Sequence, residues 1–384
     1  MRVNHRPDLV FVRGVGSWLW DQHGRRYLDF VQGWAVNALG HAATAVVEAV
    51  REQSSRLLHS GPGYHNDRAI ELAALLARLT GLDQVFFTNN GAEANEGAIK
   101  LARKYGRVHR QGAFEIITFE HGFHGRTLAT MSASGKPGFD RLFAPQVRGF
   151  PKARLNHLGS VEACRSDRTV GVMLELVQGE AGVIEADVAF VQALRRWCDE
   201  HALLLIVDEV QTGIGRTGSL FAYERHGIRP DIVTLGKGLG GGVPIGAVLA
   251  REPVCCFEPG DQGGTFNGNP LVCAAALAVL GEVSRPQFLA KVQRRGERLR
   301  HGLVARNLGE VHGSGLLQAV RLPDGDSAAA IAHAALHPPH GQPGLLVNAV
   351  RADKLRLMPA LNCTDEEIDQ ALDLLSIARA RSRR

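Results

Sequence analysis

Short apolar runs and longer amphipathic segments alternate along most of the chain from residue 66 onwards. A continuous apolar run of strand length is typical of a strand buried on both faces, whereas apolar residues at every third or fourth position indicate a helix. The predicted strands cover residues 85–88, 115–119, 171–175, 203–209, 232–235 and 247–250, and the predicted helices between them cover residues 71–79, 92–105 and 190–201. This alternation predicts an α/β fold, with a mostly parallel sheet covered by helices on both faces.

The pattern differs at both ends of the chain. The first sixty residues read as an irregular arm with a hairpin signal around His23 and Gly24. Beyond residue 280 amphipathic helices dominate, at residues 286–307 and 365–379. We therefore expect residues 61–280 to form a large domain. Residues 1–60 and 281–384 would together form a smaller α+β domain, and the length of 384 residues agrees with two domains.

The composition argues against several classes of protein. The six cysteines include no C-x-x-C pair and no metal-ligand spacing, so we expect neither a disulfide framework nor a metal site. The formal charge of +5 is spread over arginine-rich helices without interleaved aromatic residues, which argues against a nucleic-acid partner. No apolar export signal opens the chain and no apolar run is long enough to span a membrane, so we expect cytosolic residence and no membrane partner.

Lys237 has the most unusual surroundings of the seven lysines. It follows a predicted buried strand directly and has a glycine on each side, in the segment TLGKGLGGG. Partial burial at such a position lowers the pKa of a lysine and favours its use as a Schiff-base nucleophile. A nucleotide-binding loop is the alternative, because residues 236–241 and 213–218 both satisfy G-x-G-x-x-G. Neither segment opens the first strand-turn-helix unit, and no Ser or Thr follows Lys237, so this alternative is the weaker one.

Polar residues also follow other predicted strands, at the edge where open parallel sheets bind ligands. Asp208 ends a buried strand, and a pyridinium nitrogen would supply the cation that a buried carboxylate needs; a helix cap or a salt bridge is the alternative. Asn90, Gly91 and Ala92 open a helix whose free N–H groups suit a phosphate, although Asn and Gly are also common in turns. Together with Lys237, these residues favour pyridoxal 5′-phosphate as the cofactor.

The segment HGFHGRT adds two further candidates. Phe123 could cover a cofactor ring, and Arg126 could hold a carboxylate. His121 and His124 are spaced like metal ligands, but no third ligand is apparent, so we interpret them as turn or packing residues.

Seven motifs in a fixed order make the chain resemble a known family. They are FFTNNGAEANEGAIKLARKYG, ITFEHGFHGRTLATMSASG, MLELVQGEAGV, IVDEVQTGIGRTG, TLGKGLGGGVPIGA, GGTFNGNP and LRLMPALN, and WLWDQHGRRYLDF extends the match towards the N-terminus. The chain resembles the class III (subgroup II) aminotransferases of fold type I, and within them the acetylornithine aminotransferase group. The resemblance implies a ping-pong transfer of the distal amino group of N2-acetyl-L-ornithine to 2-oxoglutarate, which gives N-acetylglutamate semialdehyde and glutamate.

The resemblance also assigns four side chains to the cofactor. Lys237 would hold pyridoxal phosphate covalently and carry a proton during the reaction. Asp208 would pair with the pyridine nitrogen, and Gln211 would contact the phenolic oxygen. Phe123 would stack on the ring.

The phosphate of the cofactor would be held by backbone and by a second chain. By the same resemblance, the backbone of Gly91 and Ala92 binds the phosphate, and Thr265 reaches the phosphate in the neighbouring subunit. The last assignment implies a homodimer with two shared active sites.

Three charged residues would bind the substrates. Arg126 would hold the α-carboxylate of the amino donor, and Arg356 would hold the second carboxylate of 2-oxoglutarate. Glu180 resembles the residue that neutralises this second arginine in the other half-reaction. Such a mobile carboxylate would let one pocket accept both a neutral chain and an acidic one.

The sequence departs from the family pattern at Asn90, Leu176 and Ala181, where Ser, Pro and Gly are usual, and at His65, where an aromatic residue often gates the substrate. The last departure leaves the amino donor open: ornithine, N-succinylornithine and 4-aminobutyrate are alternatives. An aminomutase or racemase with the same fold is a further alternative. A catalytically silent binding protein is the alternative from another class, although it would have no need of the lysine, aspartate and arginine described above.

Overall fold

The computed structural model describes residues 1, 3 and 6–383 of the chain. Within these residues the strands are β1 (Phe11–Val15), β2 (Trp18–Asp21), β3 (Arg26–Asp29), β4 (Gln84–Thr88), β5 (Glu115–Phe119), β6 (Lys152–Ala153), β7 (Thr169–Leu174), β8 (Val177–Gln178), β9 (Ile184–Glu185), β10 (Leu204–Asp208), β11 (Ile232–Leu235), β12 (Gly246–Ala250), β13 (Glu310–Ser314), β14 (Leu317–Arg321), β15 (Gly344–Leu346), β16 (Asn348–Arg351) and β17 (Lys354–Leu357). The α-helices are α1 (Gln32–Ala35), α2 (Thr44–Arg56), α3 (Asp67–Thr80), α4 (Gly91–His109), α5 (Leu128–Ala133), α6 (Phe139–Leu142), α7 (Leu158–Cys164), α8 (Val188–Glu200), α9 (Ala222–His226), α10 (Pro270–Val283), α11 (Pro286–Ala305), α12 (Ala328–Leu336) and α13 (Asp365–Ser382). Short 3-10 helices cover Lys237–Gly240 and Glu252–Val254.

The central sheet has seven strands in the order β4-β12-β11-β10-β7-β5-β6. Neighbouring strands run parallel except at β12, which is antiparallel to both β11 and β4. The mostly parallel sheet is therefore confirmed, and six of its strands lie within two residues of their predicted bounds. The direction of β12 and the short strand β6 were not predicted.

Both faces of this sheet are buried, as its continuous apolar strands predict. Along β10, Leu205 and Val207 belong to one apolar core together with residues of α8 and α10, whereas Leu204 and Ile206 belong to a second core together with residues of α4. Because successive side chains of a strand point to opposite faces, this division places helices on both sides of the sheet. The α/β class with helices covering a mostly parallel sheet is confirmed.

The N-terminal arm forms a separate four-stranded sheet in the order β1-β2-β3-β15. Strands β2 and β3 are antiparallel on either side of His23 and Gly24, so the predicted hairpin is confirmed. Strand β15 pairs with β3 in parallel, which joins residues 344–346 to the start of the chain.

The C-terminal third contains more strand than its pattern indicated. Strands β13, β14, β17 and β16 form an antiparallel four-stranded sheet, packed against α11 and α12. The two long helices expected beyond residue 280 are present as α11 and α13, and the four-stranded sheet beside them was not predicted strand by strand. Strands β13 and β16 are only partly buried, so they lack the continuous apolar runs that mark the central strands. The predicted division at residues 60 and 280 stays a prediction.

The apolar helix α10 and the amphipathic helix α11 follow one another with a short break. Among the described residues, no single helix is long and apolar enough to cross a membrane, and these two reach that length and composition only when counted together across a bend of 73°.

Strands β4, β5, β7, β10 and β11 all point the same way, so their carboxyl ends meet at one edge of the central sheet. The segments that end or follow them contain most of the predicted site residues, whereas Arg356 lies on β17 and Thr265 follows β12. Ligands of open α/β sheets bind at this edge.

Candidate active site

Asp208 lies at the centre of a buried polar network at this edge of the sheet. It ends β10, it is 3% exposed, and it lies opposite Thr234 of the neighbouring strand. Its Oδ2 accepts a hydrogen bond from Nδ2 of Asn95 at 2.8 Å and lies 2.8 Å from Nδ1 of His124. Its Oδ1 accepts one from the backbone N–H of Val210 at 3.0 Å. Three neighbouring groups thus hold the carboxylate in one orientation.

Asn95 and His124 are functional candidates that the sequence analysis missed. Asn95 on α4 also donates to the backbone oxygen of His124 at 2.7 Å and accepts from Oγ1 of Thr234 at 2.7 Å. All its polar atoms therefore have partners, as a buried amide requires. His124 is 2% exposed and touches Asp208 directly, so its interpretation as a turn or packing residue was incomplete. The sequence offered one signal for Asn95: it is a polar residue on the buried face of α4, among Ala, Gly, Ile and Leu.

Lys237 follows β11 at the same edge and opens a 3-10 helix. Its φ of +42° lies in the left-handed region, which a non-glycine residue enters only at some cost in free energy. Burial lowers the pKa of its amine, as does the positive charge of Arg356, while the carboxylates of Asp208, Glu175 and Glu180 act in the opposite direction. A larger share of neutral amine follows, and the neutral form is the nucleophile.

Glu175 is a second buried carboxylate that the sequence analysis did not select. It follows β7, it is 8% exposed, and its Oε2 accepts a hydrogen bond from the backbone N–H of Phe123 at 2.7 Å. Burial and the nearby charge of Asp208 raise its pKa well above the usual value. Glu175 thereby positions the half-buried Phe123, whose ring centroid lies 6.2 Å from that of Phe139.

The first turn of α4 is packed closely against its neighbours. A Cβ on Gly91 would lie 2.5 Å from Cγ1 of Val210, and a Cβ on Gly236 would lie 3.1 Å from the Cα of Gly91. Asn90 is the N-cap, and its Oδ1 accepts from the backbone N–H of Glu93 at 3.0 Å. The N–H groups of Gly91 and Ala92 lie in the first turn of the helix, where no backbone carbonyl of an earlier turn accepts their hydrogen bonds. They and the helix dipole make this end suitable for an anion.

Arg356 enters the site from β17 of the C-terminal sheet. It is 1% exposed, and its Nη2 donates to Oε1 of Glu180 at 2.8 Å. Its Nη1 donates to Oε1 of Gln211 at 3.3 Å, and its Nε donates to Oδ1 of Asn348 at 3.1 Å. Burial by itself would raise the pKa of Glu180, but the charge of Arg356 and its hydrogen bond, helped by Lys136, lower that pKa to about 2. The predicted pairing of Glu180 with Arg356 is present.

Arg126 and Lys136 lie on the outer side of the same cluster. Arg126 is exposed, with its guanidinium carbon 5.6 Å from the ring centroid of Phe139. Lys136 places its Nζ 5.7 Å from the centroids of both Phe123 and Phe139, and 3.1 Å from Oε2 of Glu180. Both cations therefore lie close to the ring of Phe139, and Lys136 is a further residue that the sequence analysis did not select.

Thr265 is the one predicted site residue that lies outside the cluster in its own chain. It is exposed in the loop between β12 and α10, which is tied to the start of α4 by a 3.0 Å hydrogen bond from Asn89 Nδ2 to Asn267 Oδ1. The exposed His65 lies beside the same loop, at a surface cavity of about 480 Å³.

The departures from the family pattern fall in different surroundings. Leu176 and Ala181 are both buried, 0% and 5% exposed, and Leu176 belongs to the large apolar core. His121 is exposed with a φ of +63°, in agreement with its interpretation as a turn residue. Within residues 1, 3 and 6–383, no three His, Cys, Asp or Glu side chains are grouped as metal ligands would be.

These residues fit pyridoxal 5′-phosphate by their chemistry. The helix end at Gly91 is an anion site whose close approach to Val210 only glycine permits, which suits the phosphate. Asp208 offers a fixed buried carboxylate for the ring nitrogen, and Phe123 offers a half-buried ring for its face. Lys237 has the lowered pKa that a bond to an aldehyde requires.

Comparison with known proteins identifies the family. The model of the class-III aminotransferases matches residues 1–378. A relative from Bordetella bronchiseptica, acetylornithine aminotransferase 2, is 56% identical over 98% of this chain and 95% of its own length. A succinylornithine transaminase from Salmonella paratyphi A is 46% identical over 96% of this chain and 92% of its own. The crystal structure of N-acetylornithine aminotransferase from Stenotrophomonas maltophilia superposes with a TM-score of 0.85, at 35% identity over 98% of this chain and 97% of the other. The chain therefore belongs to the class III aminotransferases, which depend on pyridoxal 5′-phosphate.

Proposed function

We propose that this enzyme transfers the distal amino group of N2-acetyl-L-ornithine to 2-oxoglutarate, giving N-acetylglutamate semialdehyde and glutamate. The observation that carries the proposal is the 2.8 Å ion pair between Glu180 and the buried Arg356, in the same cluster as Lys237. A cation that is neutralised in the resting site can serve one substrate with a neutral chain and another with a second carboxylate. The relative from Bordetella bronchiseptica, whose name states the acetylornithine activity, supports this choice.

Lys237 and Asp208 act on the reacting part of the substrate. When bound, pyridoxal phosphate supplies an electron sink for the bonds at the carbon that carries the amino group. Lys237 binds the cofactor covalently and then moves the proton at that carbon, for which its lowered pKa is suited. Asp208, fixed by Asn95 and His124, keeps its negative charge directed at the ring nitrogen.

The remaining cofactor contacts position the ring and its phosphate. The N–H groups of Gly91 and Ala92 hold the phosphate at the start of α4. Phe123, whose backbone N–H is held by Glu175, would cover the ring of the cofactor. Gln211, whose amide oxygen accepts from Arg356, would contact the phenolic oxygen of the cofactor.

The substrates are distinguished by their carboxylates. Arg126 is exposed at the mouth of the site and holds the carboxylate that both substrates have. The acetamide-bearing chain of the donor adds no further charge, so Glu180 stays on Arg356 while the donor reacts. 2-Oxoglutarate brings a second carboxylate, which replaces Glu180 on Arg356.

The active form would be a homodimer with shared sites, in the cytosol. Thr265 is exposed beside His65, and in the same region Phe266 and Tyr64 are 60% and 79% exposed. Large exposed apolar side chains at one face favour burial against a second copy. In the dimer Thr265 would reach the phosphate site of the neighbouring subunit.

N-Succinylornithine is the second candidate donor, since a 46% identical relative is named for it. The test is a panel of donors assayed with 2-oxoglutarate for glutamate formation: N-acetylornithine, N-succinylornithine, ornithine and 4-aminobutyrate. We expect the highest kcat/KM with N-acetylornithine. A higher kcat/KM with any other donor would replace the proposed substrate, and no glutamate with any of them would refute the proposed reaction.

A further inference from the structure

Lys136 shares one carboxylate with the buried arginine of the site. Its Nζ lies 3.1 Å from Oε2 of Glu180, while the other oxygen of the same carboxylate, Oε1, lies 2.8 Å from Nη2 of Arg356. The two cations differ in exposure: the side chain of Lys136 is 28% exposed, and that of Arg356 is 2% exposed. Glu180 therefore bridges an inner cation and an outer one.

The position of Lys136 is set by its surroundings. It lies in the turn between α5 and α6, and its Nζ is 5.7 Å from the ring centroids of both Phe123 and Phe139. Aromatic faces attract an ammonium group, so the two rings keep it beside Glu180. The mechanism proposed above does not use this residue.

We propose that Lys136 is a positioning residue that retains Glu180 when a dicarboxylate takes its place on Arg356. This inference rests on the proposed function, in which 2-oxoglutarate uses Arg356. In the resting site Glu180 has two cationic partners, and after displacement Lys136 is the one that remains in contact. Without Lys136, Glu180 would keep Arg356 as a partner in the resting site but would have no partner after a diacid displaces it. Leaving a partly buried carboxylate without a partner costs free energy, so Lys136 raises the affinity for the diacid.

Two other roles for Lys136 predict different behaviour. If Lys136 bound the diacid itself, its contribution would persist after Glu180 has lost its charge. If it only held the turn in place, arginine and methionine at this position would affect both half-reactions similarly. A positioning role through Glu180 requires instead that the contribution disappear when Glu180 is neutral.

The experiment measures binding of glutarate, a five-carbon dicarboxylate that cannot react, to the holoenzyme by titration calorimetry. Lys136→Met should raise the Kd about five-fold, the upper range for a partly exposed ion pair. Lys136→Arg should restore most of the affinity. Lys291→Met, which removes an exposed lysine from α11, is the matched control and should leave the Kd unchanged.

The decisive measurement repeats Lys136→Met in the Glu180→Gln background. There we expect less than about a 1.5-fold change in the Kd for glutarate, because the charge that Lys136 holds is gone. In steady-state assays, Lys136→Met should raise the KM for 2-oxoglutarate with little change in kcat. Thermal unfolding at the same temperature as the wild type would establish that the variants are folded. If Lys136→Met does not fold, Lys136→Gln replaces it in the same measurements.

A five-fold loss that persists in the Glu180→Gln background would overturn the proposal in favour of direct diacid binding. An unchanged Kd in Lys136→Met would overturn it as well. Because glutarate binding needs no turnover, failure of N-acetylornithine as a donor would refute the proposed function and still leave this test readable.

Discussion

Replacing Glu180 with glutamine removes one charge from the pair with Arg356 and keeps the shape of the side chain. The hydrogen bond from Arg356 Nη2 to Glu180 Oε1 measures 2.8 Å and involves a guanidinium that is almost fully buried. Glutamine can still accept a hydrogen bond from the charged guanidinium, so the substitution removes the attraction between two opposite charges, up to about 1 kcal/mol for a partly exposed ion pair. Glutamine should therefore hold Arg356 less firmly by about 1 kcal/mol, which is roughly a five-fold change in an equilibrium constant.

The two half-reactions should respond in opposite directions. 2-Oxoglutarate has to displace Glu180, so Glu180→Gln should strengthen its binding about five-fold. N-Acetylornithine leaves the pair in place and should bind more weakly, because an unneutralised guanidinium then faces its uncharged chain. The ratio of the two kcat/KM values should thus shift more than ten-fold towards the diacid, an order-of-magnitude expectation from adding the two effects.

Each half-reaction is measured alone by rapid mixing of the holoenzyme with one substrate, through the change in cofactor absorbance. Glu282→Gln is the matched control, because Glu282 forms a 3.0 Å pair with Arg285 on an exposed helix surface. An equal change in both half-reactions of Glu180→Gln, or none, would refute the exchange of partners on Arg356.

The pH dependence of the wild type follows from the same pair. The pKa of Glu180 is lowered to about 2, from an ordinary value of 4.5. The stabilisation by a carboxylate of lowered pKa is complete above its ordinary value and is lost as the pH falls towards 2. Glu180 should therefore add no ionisation to the 2-oxoglutarate half-reaction between pH 6 and 9, as measured by kcat/KM across this range.

Four further substitutions test the remaining roles. Lys237→Ala should give a folded protein whose cofactor is not fixed by borohydride reduction, as checked by mass spectrometry; a reduced adduct would show that another group carries the cofactor. Asp208→Asn should lower kcat about a hundred-fold, since a contacting charge contributes about 4 kcal/mol at an effective dielectric of about 20 and a neutral hydrogen bond restores about 1 kcal/mol. The control is Asp231→Asn, at a buried carboxylate before β11, which should lower the temperature of thermal unfolding without changing cofactor binding. Near-native turnover in Asp208→Asn would show that the role of Asp208 is structural. Arg356→Ala should impair the 2-oxoglutarate half-reaction at least ten-fold more than the N-acetylornithine half-reaction, whereas Arg126→Ala should impair both, and the opposite pattern would exchange the two assignments.

The central sheet could be predicted because its signal is local. A strand buried on both faces must be apolar at successive positions, so residues 204–207 and 232–235 are marked by their own composition. Asp208 and Lys237 could be selected for the same reason, because each follows such a run directly. The strands that carry Arg356 and its sheet neighbours are short and partly polar, and a window of a few residues does not distinguish them from turns.

What the sequence by itself determined is therefore the class of fold, the positions of its buried strands along the chain and the chemistry available at their ends. Which side chains meet there was decided only by the tertiary structure. Asn95 and His124 reach Asp208 across 113 and 84 residues of chain. The pair of Arg356 and Glu180, 176 residues apart, was expected only from the family resemblance. Such contacts depend on the order of the strands within the central sheet and on the packing of the C-terminal sheet near the site. Burial of the apolar surface of the whole chain sets this order and this packing, and no local segment does so alone. The role of His124 and the bridge between Lys136 and Arg356 belong to this second group.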